Sequence, residues 1–367
     1  MKKVLFGITS LTLGGAERVL VDVANELSKS CEVTIFTIYS KGELEKQLEP
    51  NVKLKALYDT SYANLTRLQK YIIPIKILLQ KNRIYRKYIK KDYDVEIAFL
   101  EGPITRLFSS KNEKTNKIAW IHNDISLVFG QGIKSRLKRK IDKSIYSKYK
   151  TLVFVSEDNK KSFEKTYPEL KNNVEEKVIY NYIDKESIIK KSKEIQSVDF
   201  NSKGINFVTV ARLVEQKAID RLIKVHSKLI KNHFLHNFYV IGDGPERKKL
   251  ENLVKEYNVV DTFHLLGKME NPYPYIKNAD YFCLLSNFEG YGMVIEEAKV
   301  LEKPIIITDT AAREAIKDYS NSLILENSEK GIYEGLIKII KGKSLKVKND
   351  GNLYDNKYII NEIMSIL

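Results

Sequence analysis

Short apolar runs alternate with segments of helical period along most of the chain. Val4 to Ile8 reads as a buried strand, Gly14 and Gly15 mark a turn, and "AERVLVDVANELSK" then sets Val19, Leu20, Val23, Ala24 and Leu27 on one helix face. "EVTIFTI" returns to strand character, and strand, helix, strand in that order is a parallel crossover. Further strands are expected at "VEIAFL", "KIAWIH" and "TLVFVS".

The pattern restarts near Ile205. "INFVTVARL" reads as a strand, "DRLIKVHSKLIK" as a helix, "NFYVIGDG" as a strand, "ERKKLENLVKEY" as a helix, and "TFHLLG" and "YFCLLS" as strands. Residues 184–204 between the two halves are polar and lack an apolar period, so they read as a linker. The expected organisation is α/β with two Rossmann-like doubly wound domains, residues 1–190 and 191–345, and a tail, 346–367, whose "YIINEIMSIL" packs back on the body as a helix. Two such units facing each other would place a ligand in the cleft between the carboxyl ends of their strands.

Composition narrows the partners. Against 47 Asp and Glu stand 62 Lys and Arg, a formal charge of +15, which favours acidic partners such as anionic lipid, nucleic acid or phosphorylated small molecules. The two cysteines, Cys31 and Cys283, suit neither a disulfide framework nor a cysteine-rich zinc site, so a reducing cytoplasm is expected. The basic, apolar opening resembles a secretory signal, but Thr9, Ser10 and Thr12 interrupt it and an amphipathic stretch follows directly. No run approaches the roughly 20 apolar residues that span a bilayer.

Candidate chemistry gathers in "SNFEGYGMVIEEAKV", where Glu289 and Glu297 stand eight positions apart. Glu289 falls on a strand-to-helix loop. Gly290 and Gly292, flanking Tyr291, let the backbone approach a ligand, and the N–H groups near Met293 and Val294 open a helix suited to a diphosphate. Glu297, one turn into that helix, can accept two hydroxyl hydrogen bonds, as from a ribose, while Glu289 reaches a second polyol. The competing reading makes Glu296, Glu297 and Lys299 a solvated helix face. "ARLVEQKAIDRL" tips the balance, because Arg212 at a strand end and Lys217 in the following loop can neutralise a diphosphate leaving group without a divalent metal.

Together, "ARLVEQK", "IGDGPER", "SNFEGYGMVIEEA", "GGAERVL", "WIHND", "VFVSE" and "VIYNYID" resemble the signature of the retaining nucleotide-sugar glycosyltransferases of family four, particularly those of bacterial capsule and cell-wall polysaccharide synthesis. The resemblance spans nearly the whole chain and implies the GT-B fold. It also implies roles: Arg212 and Lys217 hold the donor diphosphate, Glu297 the nucleotide ribose and Glu289 the hydroxyls of the transferred sugar. Gly15, after Gly14, brings a loop against the donor phosphates, and Gly242 and Asp243 form a loop under the nucleotide base. His122 would lie beside sugar and acceptor, with Asn123 and Asp124 as weaker acceptor contacts. The donor expected from the resemblance is a UDP-sugar, the acceptor a glycan or polyprenyl-linked glycan, and no cofactor or metal is needed. Two departures stand out: Tyr291, where Phe is common, which is expected to be harmless, and Tyr182, which puts a role for Asn181 in doubt.

Simpler readings exist for several of these residues. A strand-end His can be structurally bonded, the Asp-Gly of Gly242, Asp243 and Gly244 is a turn dipeptide, and Glu17 and Arg18 suit an ordinary helix face. "DYD" at Asp92 to Asp94 has the spacing of a metal-binding pair but precedes its strand instead of ending it. "LGGAER" lacks the third glycine of a dinucleotide fingerprint, and no G-x-S-x-G turn supports a hydrolase. Arg67 to Lys91 and Lys134 to Lys150 mix basic with apolar residues, which suits contact with the inner, anionic face of a plasma membrane or a solvated basic helix. The rival functions are a sugar-nucleotide epimerase on the same fold and a non-enzymatic basic binding protein, although no nucleic-acid-reading motif is present.

Overall fold

A computed structural model describes residues 1–89, 93–110, 112, 114–123, 125, 133–194, 199–342 and 356–367. The chain divides into two units, residues 1–183 with 355–367, and residues 184–354.

In the first unit seven strands form one parallel sheet: β1 (Lys3–Ile8), β2 (Glu32–Tyr39), β3 (Lys53–Tyr58), β4 (Val95–Ala98), β5 (Asn116–Ile121), β6 (Thr151–Phe154) and β7 (Glu175–Val178). Their order is β3-β2-β1-β4-β5-β6-β7, so the winding reverses between β1 and β4. β1 is buried on both faces from Val4 to Ile8, as a strand covered by helices on each side must be. The described helices are α1 (Gly15–Leu27), α2 (Arg67–Ile84), α3 (Pro103–Phe108), α4 (Ile133–Tyr146) and α5 (Glu157–Thr166). α1 buries Val19, Leu20, Val23, Ala24 and Leu27, the face its period predicts. α2 starts at a reciprocal cap, the Thr66 hydroxyl accepting from the Gln69 N–H and the Gln69 side chain accepting from the Thr66 N–H.

α2 departs from an ordinary amphipathic helix. Ile77 and Ile84 are buried, but Leu68, Tyr71, Ile72, Ile75 and Leu79 are exposed, Tyr71 by 72% and Leu79 by 78%, and they intermingle with Arg67, Lys70 and Lys76. In the second basic stretch, Ile145, Tyr146 and Tyr149 are core residues, and Asp142 is held by Arg106 at 2.9 and 3.0 Å.

The second unit carries a six-stranded parallel sheet of β8 (Ile205–Val210), β9 (His236–Ile241), β10 (Phe263–Gly267), β11 (Tyr281–Leu284), β12 (Ile305–Thr308) and β13 (Ser322–Leu325). The order is β10-β9-β8-β11-β12-β13, and the reversal lies between β8 and β11. Its helices are α6 (Lys185–Ser192), α7 (Ile219–Lys231), α8 (Arg247–Glu256), α9 (Tyr273–Asn278), α10 (Met293–Val300) and α11 (Glu329–Ile340). Phe207, Phe238, Phe263, Leu222 and Leu336 fill its core. The tail helix α12 (Asn356–Ile366) groups with the first unit, burying Ile359, Ile363 and Ile366, and Asn116 Nδ2 donates to the Ile366 carbonyl at 3.1 Å.

The segment read as a linker opens with α6, which belongs to the second unit and packs on α9 and α10. Asp184 caps it, accepting from Ser187 N–H at 2.9 Å, and with only Ile188 and Ser192 buried it shows no apolar period. Strands β3, β7 and β13 were likewise invisible, being half-exposed edges, and β12 follows α10 so closely that the two apolar runs merge.

Candidate functional site

The second unit's candidate residues meet at the carboxyl ends of β8 and β11, where an open parallel sheet forms its ligand crevice. Past β8 the chain makes a single helical turn, Glu215–Lys217, and Ala218 adopts a left-handed conformation, φ 50°, that hands over to α7. Past β11 runs Ser286 to Gly292. The two loops are stitched together: Asn287 N–H donates to the Gln216 carbonyl at 2.9 Å, Gln216 Nε2 to the Phe288 carbonyl at 3.1 Å, and Asn287 Nδ2 to the Glu215 carbonyl at 3.2 Å. Arg221 on α7 locks the seam, donating to the Leu285 carbonyl at 2.9 Å and to Asn327 Oδ1 at 2.8 Å.

That seam places Lys217 Nζ 2.6 Å from Glu289 Oε1, with the side chains 17% and 5% exposed. The same oxygen accepts from the Ser286 hydroxyl at 2.5 Å, and the Ser286 carbonyl accepts from Thr308 Oγ1 at 2.7 Å. Glu289 is therefore a buried, doubly held carboxylate, and an ammonium has three donors, so Lys217 keeps capacity for an anion. Arg212 is exposed, and its carbonyl accepts from Val214 N–H at 2.9 Å.

Two glycines set the course of the Arg212 loop. Gly242, φ 142°, lies so close to it that a Cβ would stand 2.0 Å from the Ala211 carbonyl oxygen, and one at Gly244 would stand 2.3 Å from that of Leu213. The approach allows Ala211 N–H to donate to the Ile241 carbonyl at 2.9 Å and Leu213 N–H to that of Asp243 at 3.0 Å. The turn reading of this motif holds, with Asp243 exposed at its tip.

Gly292, φ 78°, begins α10, and no side chain caps that helix. Its first N–H groups, at Met293 and Val294, lack an intrahelical acceptor, as at any helix start. Glu297 is buried and accepts from the Tyr273 hydroxyl at 3.2 Å. The solvated-face reading of this helix fails, because Glu296 is fully enclosed, accepting from Tyr291 OH at 2.7 Å and pairing with Lys299 at 2.8 Å. Burial pushes the Glu296 carboxyl above its usual range, and Lys299 pulls it partly back. Tyr291 is consequently not idle, since its hydroxyl serves a buried carboxylate.

In the first unit Gly14 and Gly15 follow β1, Gly15 exposed as the first residue of α1, whose start likewise lacks a side-chain cap. His122 follows β5 and packs against the rings of Phe99 and Trp120, at centroid distances of 4.8 and 6.4 Å. Burial holds its pKa down to about 3, so the imidazole is neutral at physiological pH. Its Nε2 is buried without a hydrogen-bond partner among the described residues. Asn123 is exposed, and Asp124 lies outside the described residues. Of the D-x-D pair, Asp92 lies outside them too, whereas Asp94 accepts from Lys3 N–H at 2.7 Å.

Sequence reading passed over Glu101, three residues beyond β4. Its Oε1 accepts from His122 N–H at 2.6 Å and from Asn123 N–H at 2.7 Å, and its Oε2 accepts from Asn123 Nδ2 at 3.1 Å. The available signal was a carboxylate at the end of the apolar run "VEIAFL", followed by a Gly-Pro helix start. Ser286 and Tyr273, which hold the two glutamates, carry no such signal.

The family model described as Glycosyltransferase Family 4 matches residues 13–187, and that described as Glycosyl transferases group 1 matches residues 190–355. The chain belongs to this glycosyltransferase family. Among the relatives of this family-four glycosyltransferase is N-acetylgalactosamine-N,N'-diacetylbacillosaminyl-diphospho-undecaprenol 4-alpha-N-acetylgalactosaminyltransferase of Campylobacter jejuni, 25% identical with 100% of each chain covered. A second protein of that organism, GalNAc-alpha-(1->4)-GalNAc-alpha-(1->3)-diNAcBac-PP-undecaprenol alpha-1,4-N-acetyl-D-galactosaminyltransferase, is 27% identical over 89% of this chain and 85% of its own. Of solved structures, Anabaena Alr3699/HepE in complex with UDP and glucose superposes with a TM-score of 0.74 at 17% identity, covering 100% of this chain and 99% of that one, which shows a shared fold. The two Rossmann-like units of this glycosyltransferase are those of the GT-B fold. No helix among its described residues is long and apolar enough to cross a membrane.

Proposed function

We propose that this glycosyltransferase moves a sugar, with retention, from a UDP-sugar to a lipid-linked glycan in cell-surface polysaccharide synthesis. The observation that carries the reading is the Lys217–Glu289 pair at the β8/β11 reversal, beside exposed Arg212 and the uncapped start of α10. Two cations and a helix N-terminus supply the charge a departing diphosphate needs, which is why no metal is invoked. Glu289, fixed by Ser286 and Lys217, turns its remaining acceptor capacity to the sugar hydroxyls. Glu297, steadied by Tyr273, accepts from the ribose, and the loop of Gly242 and Asp243 serves the base. The Campylobacter relatives, named for transfer to undecaprenol-linked glycans, support the acceptor class, and the UDP in the Anabaena complex supports the donor.

In the transfer, the bond from the anomeric carbon to the diphosphate breaks with its electron pair passing to phosphate oxygen. The acceptor oxygen bonds to the same face, and its proton passes to the departing oxygen. Arg212 and Lys217 stabilise the developing charge, Gly14 and Gly15 let the backbone approach the donor, and neutral His122 offers a hydrogen bond to a sugar or acceptor hydroxyl, with Asn123 and Asp124 as further acceptor contacts. The deciding experiment follows UDP release from UDP-hexoses. Release that rises with added polyprenyl-linked glycan and persists in chelator supports the reading. A donor sugar changed without acceptor would establish an epimerase instead.

The surplus positive charge suits the membrane that holds such an acceptor. Between Asp59 and Asp92 no Asp or Glu occurs, and the exposed Tyr71, Ile75 and Leu79 stand among lysines and arginines on α2. Apolar and basic side chains mixed on one helix favour an anionic lipid surface. Co-sedimentation with phosphatidylglycerol vesicles, lost on Leu79→Glu, is the expected result; equal binding to neutral vesicles would remove the electrostatic part.

A further inference from the structure

We propose that Glu101 is a positioning residue for the transfer, its carboxylate fixing the turn that carries His122 and Asn123. The inference rests on the reading that gives His122 a role at the sugar or acceptor.

Glu101 follows β4, the strand beside β1 at which the winding of the first sheet reverses, and His122 follows the adjacent β5. A carboxylate there would ordinarily face water or a ligand. This one bends to its neighbouring loop, taking both successive N–H groups on Oε1 and the Asn123 amide on Oε2. No ion pair to it is formed among the described residues, so its oxygens are held by N–H donors alone. Gly102, φ 96°, turns the chain immediately afterwards, and a Cβ there would meet nothing within 4 Å, so the turn is built for the direction of the chain and not for tight packing.

The result is a division of labour around one imidazole. Phe99 and Trp120 grip the ring, and Glu101 grips its backbone. The ring's buried Nε2 has no polar partner among the described residues to orient it, so its aim depends on these two constraints. Loosening the backbone would swing the nitrogen away from any hydroxyl it serves. A misplacement of the order of 1 Å costs about a hundredfold in rate.

The test uses the full chain with histidine carrying ¹³C and ¹⁵N in the ring, UDP as the donor-side probe, and acceptor-dependent UDP release as the activity. In Glu101→Ala the His122 ring signals are expected to shift or split while those of the other histidines stay, turnover falls about a hundredfold, and UDP affinity holds. Glu101→Gln, which keeps an oxygen for the two N–H groups, is expected to retain the His122 signals and most of the turnover. In a His122→Ala background Glu101→Ala adds little, since its effect runs through a ring already gone. Equal damage from Glu101→Gln and Glu101→Ala would overturn the proposal, because the charge itself would then matter. So would losses that multiply in the double variant, or movement of every histidine signal together. Full turnover in His122→Ala would instead remove the role of His122, and Glu101's role with it.

Discussion

The two sheet reversals hold carboxylates in opposite ways. At β8/β11, Glu289 is matched by an ammonium 2.6 Å away, and the surrounding loops are tied by side chains reaching backbone carbonyls. At β1/β4, Glu101 has only N–H donors among the described residues, and the titratable group it serves is a neutral imidazole packed on the ring of Phe99. In the proposed function the first arrangement stabilises developing negative charge, because its cation is largely enclosed and already held in place. The second stores little field and much geometry, which suits an uncharged hydroxyl. In the proposed function one half of the chain holds an anion and the other aims a hydrogen bond.

The largest effect that would break this comparison is at Lys217. Lys217→Met is expected to lower turnover by about a hundredfold or more, the scale of losing one charge donor to a leaving group. It also leaves Glu289 enclosed without its cation, which costs about 3–5 kcal/mol when a pair is fully buried and less here, where Lys217 is 17% exposed. Adding Glu289→Gln should restore much of that stability but none of the turnover, read by urea unfolding beside UDP release. Recovered turnover in the double variant would mean that Lys217 merely neutralises Glu289.

A smaller effect is expected at Tyr291. Its hydroxyl donates to fully buried Glu296, so Tyr291→Phe should cost about 1.5–3 kcal/mol in urea unfolding, the range for a hydrogen bond to a charged group. Lys299, on the other oxygen, keeps the carboxylate paired, so UDP affinity should change little. An unchanged unfolding midpoint would return Tyr291 to the harmless departure that its sequence suggested.

Both halves were legible as alternating strands and helices because central parallel strands are apolar on both faces, as β1, β6 and β11 are. Among what escaped are elements that trade apolar contact for hydrogen bonds: the edge strands β3, β7 and β13, and α6, fixed by its Asp184 cap. The site followed the same rule. Arg212, Lys217, Glu289 and His122 stand at strand ends, where position alone marks them. Glu101 and Ser286 act on backbone and side-chain atoms folded back to them, a contact no spacing encodes. Glu296 shows the limit from the other side: a charged triplet reads as solvated surface, yet Tyr291 and Lys299 allow it to be buried.

The smallest effect concerns acid. His122 titrates near 3 and His236 near 4 in the folded chain, and His226 lies well below its usual value, all driven down by burial. His226 Nδ1 meets His236 Nε2 at 2.8 Å, and His236 Nδ1 meets the Phe234 carbonyl at 2.8 Å, so His236 donates to that carbonyl and accepts from His226. A histidine depressed below its unfolded value of about 6.5 contributes stability that is intact above that pH and lost as pH falls toward the folded value, at about 1.4 kcal/mol per pH unit per proton. Glu101 and Glu176 in the first unit and Glu296 in the second, raised chiefly by burial, act with the opposite sign, which offsets the histidine loss more in the first unit than in the second. With one such histidine in the first unit and His226, His236 and His264 in the second, the second should lose at least about 1.4 kcal/mol more between pH 6 and pH 5. Hydrogen exchange at the two pH values, corrected for intrinsic rates, should show faster opening at α7 and β9 than at β1 and β5. Equal acceleration in both units would mean that the His226–His236 chain takes up its proton without breaking, and that the second unit's interior tolerates charge as well as its ligand edge does.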